Sequence, residues 1–258
     1  MIKILTGWSH PGGSTLAHIN LCNLFNENGY ECRLYGPHYW HLGKCKGDLL
    51  NTAEFSKEDT VIAHWLATAE IPAFRKFILS CHETNLFPLK EKKLDAFDFV
   101  HFVSEFQKEW QDVDFPSVVI PNVLSDLKES PLNTGAAAVI GSIDEHKRTD
   151  LSIRRALDDG YEKVYVYGLV TDGDFFEKSV HSLLSNTVEV KGYVEDKQVM
   201  YDSVDAVYHS SDRETFNYIK GECELTGVAY NGLDSADPNA EYLSSEDILD
   251  KWVNVLEL

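Results

Sequence analysis

Short apolar runs alternate with amphipathic ones along the chain. "IKILT" (2–6) is a short, mainly apolar run with Lys3 inside it, and it reads as a buried strand. "STLAHINLCNLFNENG" (14–29) follows, with Leu16, Ile19, Leu24 and Phe25 near helical spacing, Ser14 as N-cap and Gly29 as stop. Further strands are predicted at "ECRLYG" (31–36), "TVIAHW" (60–65), "FILSCH" (77–82), "FVHFVS" (99–104) and "SVVIPN" (117–122). "SEFQKEW" (104–110) opens with Ser-x-x-Gln, a capping-box signature for a helix. A polar stretch, "LSDLKESPLNTG" (124–135), contains Pro131 and Gly135 and reads as a linker. The alternation then restarts, with strands predicted at 136–142, 163–168, 188–193, 206–211 and 227–231 and a capped helix over 244–258.

Strand–helix alternation on this scale predicts an α/β protein with parallel sheets covered by helices on both faces. Two blocks around one linker predict two Rossmann-like domains, 1–132 and 133–258, facing across a cleft. Ligands in such sheets bind beyond the carboxyl ends of the strands. No solenoid-period repeat and no low-complexity tract interrupts the pattern.

The chain has 258 residues and a formal charge of −19. Residues 1–132 carry 12 Lys+Arg and 17 Asp+Glu; residues 133–258 carry 11 and 25. A nucleic-acid binder usually shows a basic footprint, and the second block shows the opposite. The five Cys are scattered and none forms a Cys-x-x-Cys pair, which argues against a zinc ribbon or a disulfide framework. No run approaches the roughly 20 apolar residues of a membrane span. Met1 leads directly into the first strand, so no signal peptide and no integral membrane association is expected; the expected location is cytoplasmic.

Candidate chemistry gathers at strand ends. The loop "TGWSHPGGSTLAH" (6–18) holds Gly7, Gly12 and Gly13 between a strand and a helix, where glycines let a backbone approach a ligand and the helix start favours an anion. Its spacing is neither a Walker loop nor Gly-x-Gly-x-x-Gly, and an ordinary tight turn explains it equally well. "GSIDEHKRTD" (141–150) takes the equivalent place in the second block. There Lys147 and Arg148 either face a diphosphate or stand as solvated cations. His64 and His82 end two strands, as cleft-facing groups or as hydrogen-bonded structural histidines; neither belongs to a metal-spaced cluster. In "RETFNYIKGEC" (213–223), Phe216 and Ile219 look inward, so a helix is expected to begin near 216, with Glu214 in the loop before it and Glu222 two turns in. Carboxylates so placed suit sugar hydroxyls, with helix-start amides left for phosphate oxygens; two surface acids are the plainer alternative.

The order of these pieces resembles the retaining GT-B-fold glycosyltransferases of the large family with a Glu-x7-Glu motif (glycosyltransferase family 4-like), in a compact form. "PGGSTLAHINLCNLFNENGYECRLYGP" is similar to that family's opening Gly-Gly loop, first helix and second strand. "TVIAHW", "FILSCHE", "FVSEFQKE" and "VIPN" follow its first-domain order. "VIGSIDEHKRTDLSIRRAL" resembles its Gly-Arg-Leu…Lys-Gly segment, and residues 188–231 resemble its longest signature, with Glu214 and Glu222 in register. The resemblance implies a nucleotide-diphosphate sugar as co-substrate, UDP- or GDP-linked, and no further cofactor or metal. It implies that Glu222 binds ribose hydroxyls and Glu214 the donor sugar. Phe216, Asn217 and Tyr218 would offer amides to the diphosphate, and Lys147 would neutralise it. Gly12 and Gly13 would approach the donor, His82 would lie near the transferred sugar, and Tyr193 and Val194 would border the base.

Two departures stand out. Ser142 replaces the family's usual Arg, removing one phosphate-binding cation unless Arg148 substitutes for it. Asn217 replaces its usual Gly, adding a hydrogen bond or narrowing the pocket. The acceptor is not named by the resemblance. "GPHYWHLGKCKGD" (36–48), with His38, Tyr39 and Trp40, and His64 beyond it, is the expected rim for a saccharide or small molecule, or else a surface loop packing its own rings. The compact form is also similar to phage enzymes that glycosylate modified DNA bases, an acceptor that the charge of −19 disfavours and Lys44, Lys46, Arg75, Lys76, Lys90, Lys92 and Lys93 favour. The alternative is a non-catalytic nucleotide-sugar-binding protein on the same fold. A sugar-nucleotide epimerase is disfavoured by the lack of Gly-x-Gly-x-x-Gly near residue 7.

Overall fold

The structure, a computed structural model, describes residues 1–6, 12–36, 47–49, 54–64, 74–82, 89 and 94–258. Gly7, His38, Tyr39 and Trp40, with His41, Lys44, Lys46, Lys90, Lys92 and Lys93, lie outside the described residues. The chain divides into two compact units. The first comprises Met1–Leu124 and Asn239–Leu258, the second Ser125–Pro238. This differs from the boundary expected near residue 132 and from the assignment of the last helix to the second block.

In the first unit the elements are β1 (Ile2–Thr6), α1 (Gly13–Glu27), β2 (Cys32–Gly36), β3 (Gly47–Leu49), β4 (Thr60–His64), β5 (Lys76–Cys81), β6 (Phe99–Phe102), α2 (Glu105–Gln111) and β7 (Ser117–Val119). The strands form one parallel sheet in the order β3-β2-β1-β4-β5-β6-β7. Strand side chains alternate between the two faces of the sheet, and both faces are buried, so the strands are largely apolar. Ile2, Ile4, Ile62 and Ile78 enter one cluster with Phe25 of α1. Leu5, Val61, Ala63 and Phe77 point to the opposite face, into another.

Helix α1 begins at Gly13 with Gly12 as its cap residue, so Ser14 lies inside the first turn and does not cap it. Helix α2 is capped as its sequence predicts: the Ser104 hydroxyl accepts from the Gln107 amide at 3.1 Å. The Gln107 side chain then reaches the Val103 amide at 2.9 Å.

The second unit holds β8 (Ala136–Ile140), α3 (Thr149–Asp158), β9 (Lys163–Tyr167), the single turn α4 (Gly173–Phe175), β10 (Val188–Gly192), α5 (Lys197–Tyr201), β11 (Ala206–His209), α6 (Tyr218–Thr226) and β12 (Ala229–Gly232). Its parallel sheet runs β10-β9-β8-β11-β12. Ala137, Val139, Val164, Val166 and Ala206 pack with Ile153 of α3 on one face. Ala136, Ala138, Tyr167 and Val207 pack with Tyr201 and Cys223 on the other. Gly168 has φ +149 and passes so close to β8 that a Cβ there would stand 1.7 Å from the Gly141 carbonyl oxygen.

The stretch read as a linker is irregular but not loose. Residues 125–135 belong to the second unit. The Asp205 carboxylate accepts the amides of Asn133, Thr134 and Gly135 at 2.7–2.8 Å, and the Ser130 amide donates to the Thr226 carbonyl at 2.9 Å. These amides draw the Asp205 carboxyl below its usual value against the opposing effect of burial.

The last helix, α7 (Ser245–Leu256), is part of the first unit. Ile248, Trp252 and Leu256 recur at i, i+4 and i+8, and all three enter the cluster around Phe25. The side chains of Arg75 and Lys76 donate to the Leu256 and Val255 carbonyls at 2.6 and 2.7 Å, meeting the negative end of the helix with positive charge.

Candidate functional site

The second unit gathers its chemistry at the carboxyl ends of β8 and β11. The turn after β8 carries Lys147, whose own amide donates to Asp144 Oδ1 at 2.8 Å. The loop after β11 is tied to that turn by the Asp212 amide, which donates to the His146 carbonyl at 2.8 Å. This brings Lys147 Nζ to 2.5 Å from Glu214 Oε1 across 67 residues of sequence. His209, the last residue of β11, places Nε2 at 2.9 Å from the same oxygen. Burial by itself pushes the Glu214 carboxyl up. The Lys147 ammonium and the His209 ring outweigh burial and hold it well below the usual carboxylate range. His209 was hidden in an apolar run that reads as strand; its one signal was a histidine at a strand's carboxyl end.

Arg148 is the cap residue of α3, in the left-handed region at φ 48, and it pairs with Asp212. The side-chain hydroxyl of Thr149 reaches the Ser142 carbonyl at 3.5 Å.

Asn217 resolves the question its position raised. Its Oδ1 accepts the Lys220 amide at 3.1 Å, and its Nδ2 donates to the Tyr230 hydroxyl and to the Ala236 carbonyl, both at 2.6 Å. It is a helix cap tied to the neighbouring strand, and its cap takes one of the amides at the start of α6. The helix therefore begins at Tyr218 and not near 216, so Glu222 sits one turn in. Phe216 is buried and stacks edge-on against Tyr218 at 5.0 Å. Tyr193 is exposed, and Val194 packs against the cluster below α6.

Glu222 is only 2 % exposed. Its Oε1 pairs with Lys197 at the start of α5, and its Oε2 accepts the Tyr201 hydroxyl at 2.9 Å. Burial, then the Glu222 charge, raises the Tyr201 phenol well above its ordinary value. Neither Lys197 nor Tyr201 stood out in the sequence, because helical spacing does not show which side chains on another helix meet.

In the first unit the structure brings His64 and His82 together with two histidines that the sequence did not single out. His18 of α1 lies 4.8 Å from the His64 ring and 4.6 Å from His82; His82 lies 6.0 Å from His101 of β6. His101 Nε2 meets the Ile120 carbonyl at 2.7 Å and must therefore carry its proton there. Its Nδ1 then accepts from the Ser80 hydroxyl at 2.9 Å, and Ser80 in turn accepts His82 Nε2–H at 3.0 Å. This relay fixes the tautomers of both rings. Burial pulls His101 down to about 4 and lowers His18 and His82 well below their ordinary value. Gly12 and Gly13 stand at the start of the helix that carries His18.

Among the described residues no group of His, Cys, Asp and Glu is arranged to hold a metal ion, and no helix is long and apolar enough to cross a membrane.

Two parallel sheets with flanking helices, matched over the full chain, define the GT-B fold of glycosyltransferase structures. The chain is similar to WaaG, a glycosyltransferase involved in lipopolysaccharide biosynthesis, at TM-score 0.68 and 11% identity, covering 100% of this chain and 91% of that one. It is similar to Anabaena Alr3699/HepE in complex with UDP and glucose, at TM-score 0.70 and 14% identity, covering 99% and 88%. It is also similar to an alpha-glucosyltransferase in complex with UDP and a 13-mer DNA, at TM-score 0.62 and 12% identity, covering 100% and 90%. No protein-family model matches the chain, and no curated protein matches it.

Proposed function

We propose that the chain is a retaining glycosyltransferase that moves a sugar from a nucleotide-diphosphate sugar to an acceptor hydroxyl. The observation that carries this reading is the Lys147–Glu214–His209 constellation at the strand ends of the second unit. Structural neighbours with UDP or UDP-glucose bound support the donor class.

In this reading the second unit is the donor side. Glu222 meets the ribose, Glu214 the sugar hydroxyls, and the amides at Tyr218 and Ile219 face the diphosphate. The bond from the anomeric carbon to the diphosphate oxygen breaks, and the electron pair leaves with the diphosphate. Lys147 and the positive end of α6 stabilise that charge. The acceptor oxygen forms the new bond on the same face of the sugar, and its proton passes to the departing phosphate. No protein nucleophile is assigned. His82, His64 and the Gly12–Gly13 turn are the first unit's proposed contributors. The acceptor is a saccharide or small molecule; the DNA complex of one neighbour keeps a modified base as an alternative.

The test is sugar release or transfer from UDP-glucose and GDP-linked sugars, followed by chromatography, with Glu214→Ala beside the wild type. Turnover that vanishes in the variant supports an enzyme. The second reading, a non-catalytic nucleotide-sugar binder, is favoured by Ser142 and by the engagement of Arg148 with Asp212. Nucleotide binding without turnover on any donor supports it.

A further inference from the structure

Glu222 is the residue on which the proposed ribose contact rests, yet it is already engaged. Both oxygens have partners within the protein. Tyr201 lies fully buried beneath it and holds Oε2 from the inside. Lys197 holds Oε1 from the outside: its side chain is 22% exposed where the carboxylate is 2% exposed. A ligand approaching this carboxylate meets the ammonium first. A ribose hydroxyl that used Oε1 would take the place of Lys197.

The ammonium also stands 5.4 Å from the centre of the Tyr218 ring, and Tyr218 is the first residue of α6. The Tyr218 hydroxyl is buried with no hydrogen-bond partner among the described residues, so this helix start carries an unsatisfied polar atom. Lys197 thus bridges the helix start, where the diphosphate is proposed, and Glu222 one turn on. Position 142, where a second cation would stand, holds a serine. A lysine ammonium has three donors on a flexible stem and changes partners at little cost in geometry.

We infer that Lys197 is a second diphosphate-binding residue, parked on Glu222 and exchanged on binding: ribose hydroxyls replace it on Oε1, and its ammonium turns to the phosphates. This rests on the reading of Glu222 as the ribose contact. The exchange links the two ends of the nucleotide. A nucleoside alone must displace Lys197 and gives the ammonium no new partner. A nucleotide displaces it and receives its charge.

The experiment is calorimetric or NMR titration of the whole chain with uridine, UMP and UDP, and in parallel with guanosine, GMP and GDP. Wild type, Lys197→Met, Lys197→Arg and Glu222→Ala are compared. In Lys197→Met the nucleoside should bind about fivefold more tightly, because a partly exposed ion pair no longer competes. The diphosphate should bind about tenfold more weakly, because a charge-assisted bond to phosphate is lost. Lys197→Arg should retain diphosphate affinity. These opposite directions are something a merely structural lysine would not produce. Equal weakening of nucleoside and diphosphate would overturn the inference, and so would equal tightening of both. Failure of the donor-site reading looks different: neither nucleotide series would bind the wild type, or binding would be untouched by Glu222→Ala.

Discussion

Acidification is the perturbation that tests the histidine cluster most directly. His18, His82 and His101 are buried and held neutral, with His101 drawn down to about 4. The groups that weigh on them electrostatically, among the described residues, are one another and His64. Around them stand Ser80, Asn122, Trp252 and the Ile120 carbonyl, none of which supplies a negative charge. In the unfolded chain each histidine titrates near 6.5. Below that pH the unfolded state binds more protons than the native one, so stability falls as pH falls. It is complete above about 6.5 and, for His101, is lost progressively down to about 4.

At pH 5 His101, drawn down to about 4, costs the native state ~2 kcal/mol, and His18 and His82 act in the same direction. Against a domain stability of about 5–15 kcal/mol this is a readily measured loss. The assay is urea unfolding at pH 7.5 and pH 5.0, followed by tryptophan fluorescence. All five Trp (8, 40, 65, 110 and 252) fall within 1–124 and 239–258, so the signal reports the first unit alone. His101→Gln should shrink the pH-dependent loss by about 2 kcal/mol, and His18→Leu should shrink it too. A wild-type midpoint unchanged between the two pH values would refute the reasoning, as would variants that lose as much stability on acidification as the wild type.

Four further outcomes are expected. Lys147→Met should lower sugar turnover by ~10²–10³, because in the proposed reaction its charge acts on the developing diphosphate; it should also destabilise the second unit, because the Glu214 carboxylate loses its cation, so steady-state assays with saturating donor are run on protein shown by calorimetry to be folded. Asn217→Ala should cost the second unit about 1–2 kcal/mol through the lost cap, read by calorimetry. Gly168→Ala should cost more than ~4 kcal/mol or abolish soluble protein, since its Cβ would overlap the Gly141 carbonyl; soluble yield and calorimetry decide it. Trp252→Ala should cost the first unit ~3–5 kcal/mol in urea unfolding, because that ring is 1% exposed in the main core.

The strands were legible because both faces of each sheet are covered: Ala136–Ile140 reads as one unbroken apolar run, and Ile2–Thr6 is apolar apart from Thr6 and from Lys3, whose ammonium pairs with Asp59. The start of α6 lies later than the sequence pattern predicts because Phe216 is buried without being helical: an inward residue in a loop mimics the first turn of a helix. Lys147 and Glu214 were singled out from separate loops, but their meeting depends on the adjacency of β8 and β11, which only the sheet order supplies. His18 and His101 lay within a helix and a strand whose periodicity made them look like ordinary interior positions. The partners of Glu222 come from a single-turn helix with no spacing signal of its own.

The return of α7 to the first unit has a consequence for synthesis. The second unit is one continuous segment, Ser125–Pro238, whereas the first is built from two segments that flank it. Chains usually acquire their folded parts in the order in which they are made. Here the ribosome finishes every residue of the second unit before it supplies Trp252, so the unit translated second can be completed first. Until α7 emerges, Phe25 and the isoleucines of β1, β4 and β5 lack one wall of their core. The nascent first sheet is therefore the part of this chain that a chaperone would have most reason to hold.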